Sequence, residues 1–322
     1  MNQQLYPLQF KPILKEKIWG GNKLKTLFNK PIVSETTGES WEISGVPGDI
    51  SIVENGELEG KLLTELIDLY PNEILGTSVY KRFGKQFPLL FKFLDAKEVL
   101  SIQVHPNDDL AKKRHNSFGK TEMWYIMQAD QDAQIIVGFK ENSNQEEYLE
   151  NLHSNNLVSI LNEIEVHEGD VYFLETGTVH AIGGGTVIAE IQQTSDITYR
   201  LYDFDRVDAE GNKRELHVDL ALEAINFKKQ ETQKIYFKEP NQSNVIVDCP
   251  YFTTNFIPLK DFLQVEKSGD SFTVYMCMEG DFTLISKDKS YNYKKGDTVL
   301  VPGQIKKYSL SGNASMLEIY IS

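Results

Sequence analysis

Val99-Leu100-Ser101-Ile102-Gln103-Val104-His105-Pro106, followed after a polar interval by Gly119-Lys120-Thr121-Glu122, is the stretch on which the fold turns. A strand sends successive side chains to opposite faces, so Ser101, Gln103 and His105 project together, and Glu122 can meet them from a neighbouring strand. Three polar groups on one strand face are hard to explain as packing. Farther along, Gly169-Asp170 leads across a turn to a second imidazole, His180. Two imidazoles, a carboxylate and an amide oxygen suit one divalent metal, zinc being the best fit to that donor set. Glutamine is an unusual zinc ligand, and Gln103 could instead orient a ligand from behind.

Strand patterns dominate the first two thirds of the chain, at 41–44, 88–94, 100–105, 123–127, 134–139, 170–174 and 186–192, most of them bounded by Gly, Asp, Asn or Pro. Short strands punctuated this often imply an antiparallel sandwich or barrel. Helical inserts are expected where Leu62, Leu63, Leu66 and Ile67 form an apolar stripe, after an Asn107 cap as far as Arg114, after a Ser143-x-x-Glu146 capping box, and near 218–227. Caps and core packing explain all four without function.

Composition turns polar between Asp208 and Asn244, which marks a linker, and the strand pattern resumes at Val245-Ile246-Val247. The expected division is a catalytic domain over 1–240 and a second β domain over 241–322. Beyond the linker, Val274 to Gly280 echoes Met123 to Ala129, and Lys295 to Gly303 echoes Glu168 to Gly177. Thr273 stands in the second copy where Glu122 stands in the first, and no histidine follows His217. The second copy can fold but has no imidazole with which to hold a metal.

The chain has 322 residues and a formal charge of −14, so nucleic acid and anionic membrane are not expected partners, since both call for concentrated Lys and Arg. A local basic pocket can still bind a small anion, because charges are screened over roughly 8 Å at physiological salt. Cys249 and Cys277 lie far apart without metal-type spacing and are expected to be reduced. No secretory signal and no membrane-length apolar run are apparent, so the cytoplasm is the expected location.

Gly-Asp, a turn and a histidine, preceded by a strand histidine and a glutamate, resembles the cupin signature, with Glu175 where a proline is usual. A finer resemblance runs in order through Phe91-Lys92-Phe93-Leu94, Leu100 to Pro106, Gly119 to Tyr125, Thr178 to Ile182, and Ala189-Glu190-Ile191-Gln192 to Tyr199-Arg200-Leu201-Tyr202-Asp203. These segments resemble the zinc-dependent type I mannose-6-phosphate isomerases of the cupin superfamily, in their short bacterial form. The resemblance implies a mainly β fold of two cupin-like double-stranded β-helix (jelly-roll) barrels with a few short helices. It implies one zinc per chain held by Gln103, His105, Glu122 and His180. Catalytic roles fall to Arg200, Glu190 and Lys120, substrate-binding roles to Lys92 and Ser101, and a place on the pocket rim to Trp19.

The implied reaction interconverts mannose 6-phosphate and fructose 6-phosphate through an enediol, with a phosphorylated hexose as partner. Such chemistry needs a base, an electrophile for the sugar oxygens and a clamp for the remote phosphate. Two rival readings are a metal-dependent cupin oxygenase and a catalytically silent sugar-phosphate sensor; the oligomeric state is open. Glu190, in the alternating run Ile188-x-Glu190-x-Gln192, reads as barrel lining and as either a base or the ion-pair partner of Arg200 or a lysine. His115, His153, His167 and His217 are expected to be solvated. Gly183-Gly184-Gly185 reads as a tight connection rather than a phosphate loop, and Asp203-x-Asp205 lacks the rest of a calcium loop.

Overall fold

The computed structural model describes residues 4–207 and 210–322, and it is mainly β. Its first sheet has six antiparallel strands in the order Ile13–Gly21, Thr37–Ile43, Leu89–Ala96, Thr186–Gln193, Glu122–Ala129 and Val171–Leu174. A second sheet of five follows the order Tyr199–Tyr202, Ile102–Val104, His180–Ile182, Gln134–Phe139 and Leu161–Glu165. Alternation decides which side chains enter the space between them. Leu94, Trp124, Ile126 and Ile188 from the first sheet pack there against Ile135, Val137 and Ile182 from the second. Phe91, Phe93, Met123 and Ile191 point the other way, into a core shared with the helices and the C-terminal sheet. Among the described residues the two sheets face one another without a ladder that closes them into a barrel.

Register carries the polar end of this space. Lys92, Glu190 and Trp124 lie in one row across three adjacent strands of the first sheet. Gln192 pairs with Glu122 in the next row. In the second sheet Arg200, Gln103 and His180 form a matching row. The two strand rows therefore meet at one end, where polar groups face each other across the same gap that is apolar farther in.

The C-terminal sheet runs in the order Asn244–Asp248, Thr253–Glu266, Lys307–Tyr320, Thr273–Ser286 and Lys289–Lys294, with Thr298–Val301 paired to Thr273–Ser286. The internal repeat is visible in its pairings. Val301 pairs with Thr273 as Leu174 pairs with Glu122. Glu318 pairs with Tyr275 and Asn255 as Glu190 pairs with Trp124 and Lys92. Glu318 is buried and accepts hydrogen bonds from Tyr275 Oη at 3.0 Å, Asn255 Nδ2 at 2.8 Å and Lys267 Nζ at 2.6 Å. A carboxylate thus persists at the repeat position, with the Lys267 ammonium as its counter-charge.

Several local expectations change. The helix after Ser143 is Gln145–His153, and its cap is Asn144, whose side chain accepts from Glu147 N, while Ser143 Oγ bonds the Glu147 carboxylate at 2.8 Å. Serine and asparagine are both good caps; the one closer to the third helical N–H took the role. The helix expected over 218–227 ends at Leu222, because Ile225 and Phe227 leave it to pack on the outer face of the second sheet. Helices Lys23–Phe28, Pro71–Leu75 and Thr77–Phe83 carried no strong sequence signal. The stretch read as a linker, of which 208 and 209 lie outside the described residues, is no free connector: Phe173 N donates to Thr232 O and Lys234 N to Val171 O along the sheet edge. No helix among the described residues is long and apolar enough to cross a membrane.

Candidate active site

His105 directly follows the strand Ile102–Val104, just before Pro106, and is 2% exposed. Its Nδ1 lies 2.8 Å from the carbonyl of Ile197, and His180 Nδ1 lies 2.8 Å from that of Thr178. A carbonyl can only accept, so each ring carries its proton on Nδ1 and turns a bare Nε2 inward. Glu122, fully buried, places Oε1 3.4 Å from His180 Nε2 and Oε2 3.6 Å from His105 Nε2. The three ligand atoms lie within 4.8 Å of one another.

Glu122 Oε1 and His180 Nε2 are buried and have no hydrogen-bond partner among the described residues. Each such orphan costs about 1–3 kcal/mol, and a cation between them removes both costs at once. Burial, reinforced by the Lys120 charge, holds His105 well below the usual histidine range. The same two causes bring His180 down to about 3. Both imidazoles are therefore in the neutral form that ligates metal. Burial pushes Glu122 up to about 7 although Lys120 opposes it, so the carboxylate lacks sufficient positive charge in its surroundings. The donor set fits a metal ion by chemistry, by geometry and by its unmet bonds.

Lys120 bonds the Glu122 carboxylate and lies 3.1 Å from His105 Nε2 and 3.9 Å from Glu190 Oε1. Glu190 receives Lys92 Nζ at 3.0 Å and Trp124 Nε1 at 3.0 Å. Burial alone would raise its pKa, but Lys120 and Lys92 outweigh burial and bring it to about 2. Its ion-pair partner is Lys92, not Arg200. Arg200 instead donates from Nε to Ser101 Oγ at 3.3 Å and from Nη1 to Glu215 O at 2.8 Å.

These groups open onto a cavity of about 430 Å³ whose wall includes Trp19, Lys92, Ser101, Gln103, Lys120, Glu190 and Arg200. That volume accommodates a small ligand. With the metal-type triad at its inner end, the structure brings all ten expected site residues to one place. Gln103 lies between His180 and Arg200 in its register row and lines the cavity.

The wall also contains Lys15, Lys17, Glu39, Trp41, Asp49, Asp196, Thr198 and Arg214, which the sequence reading did not single out. Lys15-x-Lys17-x-Trp19 and Glu39-x-Trp41 alternate polar or amphipathic groups on one strand face, a signal that was open to view. Arg214 arrives on an irregular segment and had no such signal. His217 is a correction. It is half-buried rather than solvated, its Nδ1 accepting Arg200 N at 3.1 Å and its N–H donating to Arg200 O at 2.7 Å. Tyr199 belongs to the outer core, and its ring centroid lies 6.4 Å from that of His217. Asp203 is occupied by Arg206 and Arg214, which accounts for the acidic pair without a calcium ion.

Comparison with known proteins bears on what this arrangement does. A model described as phosphomannose isomerase type I, catalytic domain, matches residues 7–158, and one described as mannose-6-phosphate isomerase, cupin domain, matches residues 242–321. The chain is 37% identical over 315 residues to the mannose-6-phosphate isomerase ManA of Bacillus subtilis, covering 97% of this chain and 98% of that one. It is 36% identical over 313 residues to the mannose-6-phosphate isomerase of Streptococcus mutans, covering 97% of each. The crystal structure of the mannose 6-phosphate isomerase from Bacillus subtilis superposes with a TM-score of 0.91 at 35% identity, over 98% of this chain and 100% of that one.

Proposed function

The chain belongs to the type I phosphomannose isomerases and is a mannose-6-phosphate isomerase, an aldose-ketose isomerase; we propose that it works through an enediol at a single zinc ion held by Gln103, His105, Glu122 and His180. The observation that carries the metal assignment is the pair of neutral imidazoles and a carboxylate with two buried atoms unbonded, at the inner end of a cationic cavity. Bound there, zinc would supply an electrophile for the sugar oxygens without a proton of its own.

The remaining work falls to side chains. Glu190, ionised throughout the physiological range and fixed by Lys92 and Trp124, serves as the base that moves the proton between adjacent carbons. A carboxylate of such low pKa is a weak base, so the proton it takes must be acidified by neighbouring positive charge. Lys120 provides that charge to the oxygen that becomes negative in the enediol, while Arg200 extends its planar fork to the substrate phosphate. Ser101 holds the Arg200 guanidinium in place, Lys92 contributes to substrate binding, and Trp19 closes the rim against water. The partner is a phosphorylated hexose.

We also propose that the chain divides at 240/241 into two cupin-like units of the double-stranded β-helix type. The matched cupin segment at 242–321 and the shared pairing register support this reading. The second unit stabilises the first: Phe252, Phe256, Phe272 and Val274 share one core with Phe91, Phe93 and Met123. Two unpaired cysteines and a phosphorylated substrate support a cytoplasmic location. No observation favours the oxygenase or the silent sensor.

The test is metal quantification on the same sample assayed for conversion of mannose 6-phosphate. About one zinc per chain, loss of turnover on chelation and recovery with added zinc are expected. Full turnover in protein stripped of metal would end the zinc assignment.

A further inference from the structure

We infer that Arg214, latched by the buried carboxylate of Asp203, is a substrate-binding residue that receives the phosphate end of the sugar phosphate beside Arg200, an inference that rests on the isomerase reading above. The four lysines of the cavity wall each have a carboxylate. Lys15 pairs with Asp49, Lys17 with Glu39 at 3.0 Å, Lys92 with Glu190 at 3.0 Å, and Lys120 with Glu122. The two arginines of the wall are in a different position. Arg200 bonds only neutral oxygens, those of Ser101 and Glu215.

Arg214 donates from Nε to Asp203 Oδ2 at 2.7 Å and from Nη2 to Oδ1 at 2.5 Å. The same carboxylate, 6% exposed, also accepts Arg206 Nη2. Arg206 turns its other donors onto Val99 O and Asp203 O and does not line the cavity, so it is an anchor. One negative charge therefore serves two guanidiniums, and the third, Arg200, has none of its own. Asp205 is taken by Lys213 at 2.6 Å, and Asp196, exposed at the mouth, is the one carboxylate of the wall without an ion pair among the described residues. Burial first and the Arg214 charge second hold Arg200 below its usual range, with the shared Asp203 carboxylate opposing them.

Two like charges kept close on a cavity wall are stabilised by an anion that both can reach. A phosphate monoester carries about −1.5 to −2 charges at neutral pH and accepts several charged hydrogen bonds. Arg214 Nη1 lies outside the bonds to Asp203 and is the donor available to it. Binding the phosphate at the arginines, away from the triad, would leave the reacting carbons near Glu190 and Lys120 and let remote binding energy orient them.

Steady-state kinetics on Arg214→Ala, Arg214→Lys and Asp203→Asn, with calorimetric binding of inorganic phosphate, test this. Arg214→Ala should raise KM for mannose 6-phosphate by about 10- to 100-fold with kcat within about threefold, and weaken phosphate binding by a similar factor. Lysine should recover part of the loss, since it restores charge without the fork. Asp203→Asn should move KM in the same direction, as expected of a positioning residue. Metal content and thermal midpoint of Arg214→Ala should match the wild type. Unchanged KM and phosphate affinity in Arg214→Ala, or a fall in kcat alone, would overturn the inference. Phosphate binding is read without turnover, so a wild type that failed to isomerise mannose 6-phosphate would refute the isomerase reading and leave the anion site to be judged by its own measurement.

Discussion

At the scale of single residues the site is a solution to the problem of burying charge. Glu122 and Glu190 both lie in the interior, yet their pKa values are pushed in opposite directions: Lys92, Lys120 and Trp124 keep Glu190 ionised, whereas burial raises Glu122 against the pull of Lys120. Separating two nearby carboxylates in this way assigns one to the metal and one to the proton. Glu190→Gln keeps the shape and, through its single amide oxygen, one of the two bonds accepted from Lys92 and Trp124, while removing basicity. It is expected to lower kcat by about 10²- to 10⁴-fold with zinc retained; an unimpaired variant would remove Glu190 from proton transfer. His180→Ala is expected to bind metal at least about 10-fold more weakly, measured as zinc retained after dialysis against a mild chelator, and undiminished retention would exclude His180 as a ligand. Residue parity made Ser101, Gln103 and His105 legible in the sequence, because alternation is a local property of strands. His217 and Arg214 were not legible, because their neighbours are remote in sequence and come from irregular backbone.

At the scale of elements the strand rows do the positioning. Lys92, Glu190 and Trp124 reach their contacts because three neighbouring strands are in register. The C-terminal sheet repeats that row as Asn255, Glu318 and Tyr275, without histidines but with a buried carboxylate. Burial raises the Glu318 pKa, but Lys267, Asn255 and Ser243 more than offset it, so the folded pKa lies below the ordinary carboxylate value. A depressed folded pKa stabilises the protein above the unfolded value of about 4.3, and that stability is lost as pH falls through the folded pKa. Lys267→Met is therefore expected to cost about 2 kcal/mol near pH 7 and clearly less at an acid pH below the folded pKa of Glu318, where that carboxylate is protonated with or without Lys267. Chemical denaturation at the two pH values measures this, and an equal cost at both would contradict the ion pair as its source. The repeat was visible in the sequence as apolar strands and glycine turns. The row around Glu318 was hidden, since the pairing partners of a strand are set by the sheet and not by the strand itself.

At the scale of the whole molecule one apolar core joins the two units. Phe252 is fully buried where strands of the C-terminal sheet meet the outer face of the first sheet. Phe252→Ala should destabilise the protein by about 3–5 kcal/mol while leaving the kcat of the folded fraction near wild type, because the core lies on the side of the sheet away from the cavity. Thermal unfolding and kinetics below the transition check this. A lowered midpoint with kcat also lost at low temperature would show that the core controls the site as well as the stability.

The sequence by itself determined the class of fold, the alternation that turns polar groups to one face of each strand, and the identity of the metal-type donors, because periodicity and donor chemistry are carried by neighbouring residues. Only the tertiary structure decided which lysine neutralises which carboxylate, that His217 and Asp203 brace the two arginines of the wall, and that a linker-like stretch is pinned to a sheet edge. Those outcomes depend on distances between strands and loops far apart along the chain, and such distances are set when the sheets pack.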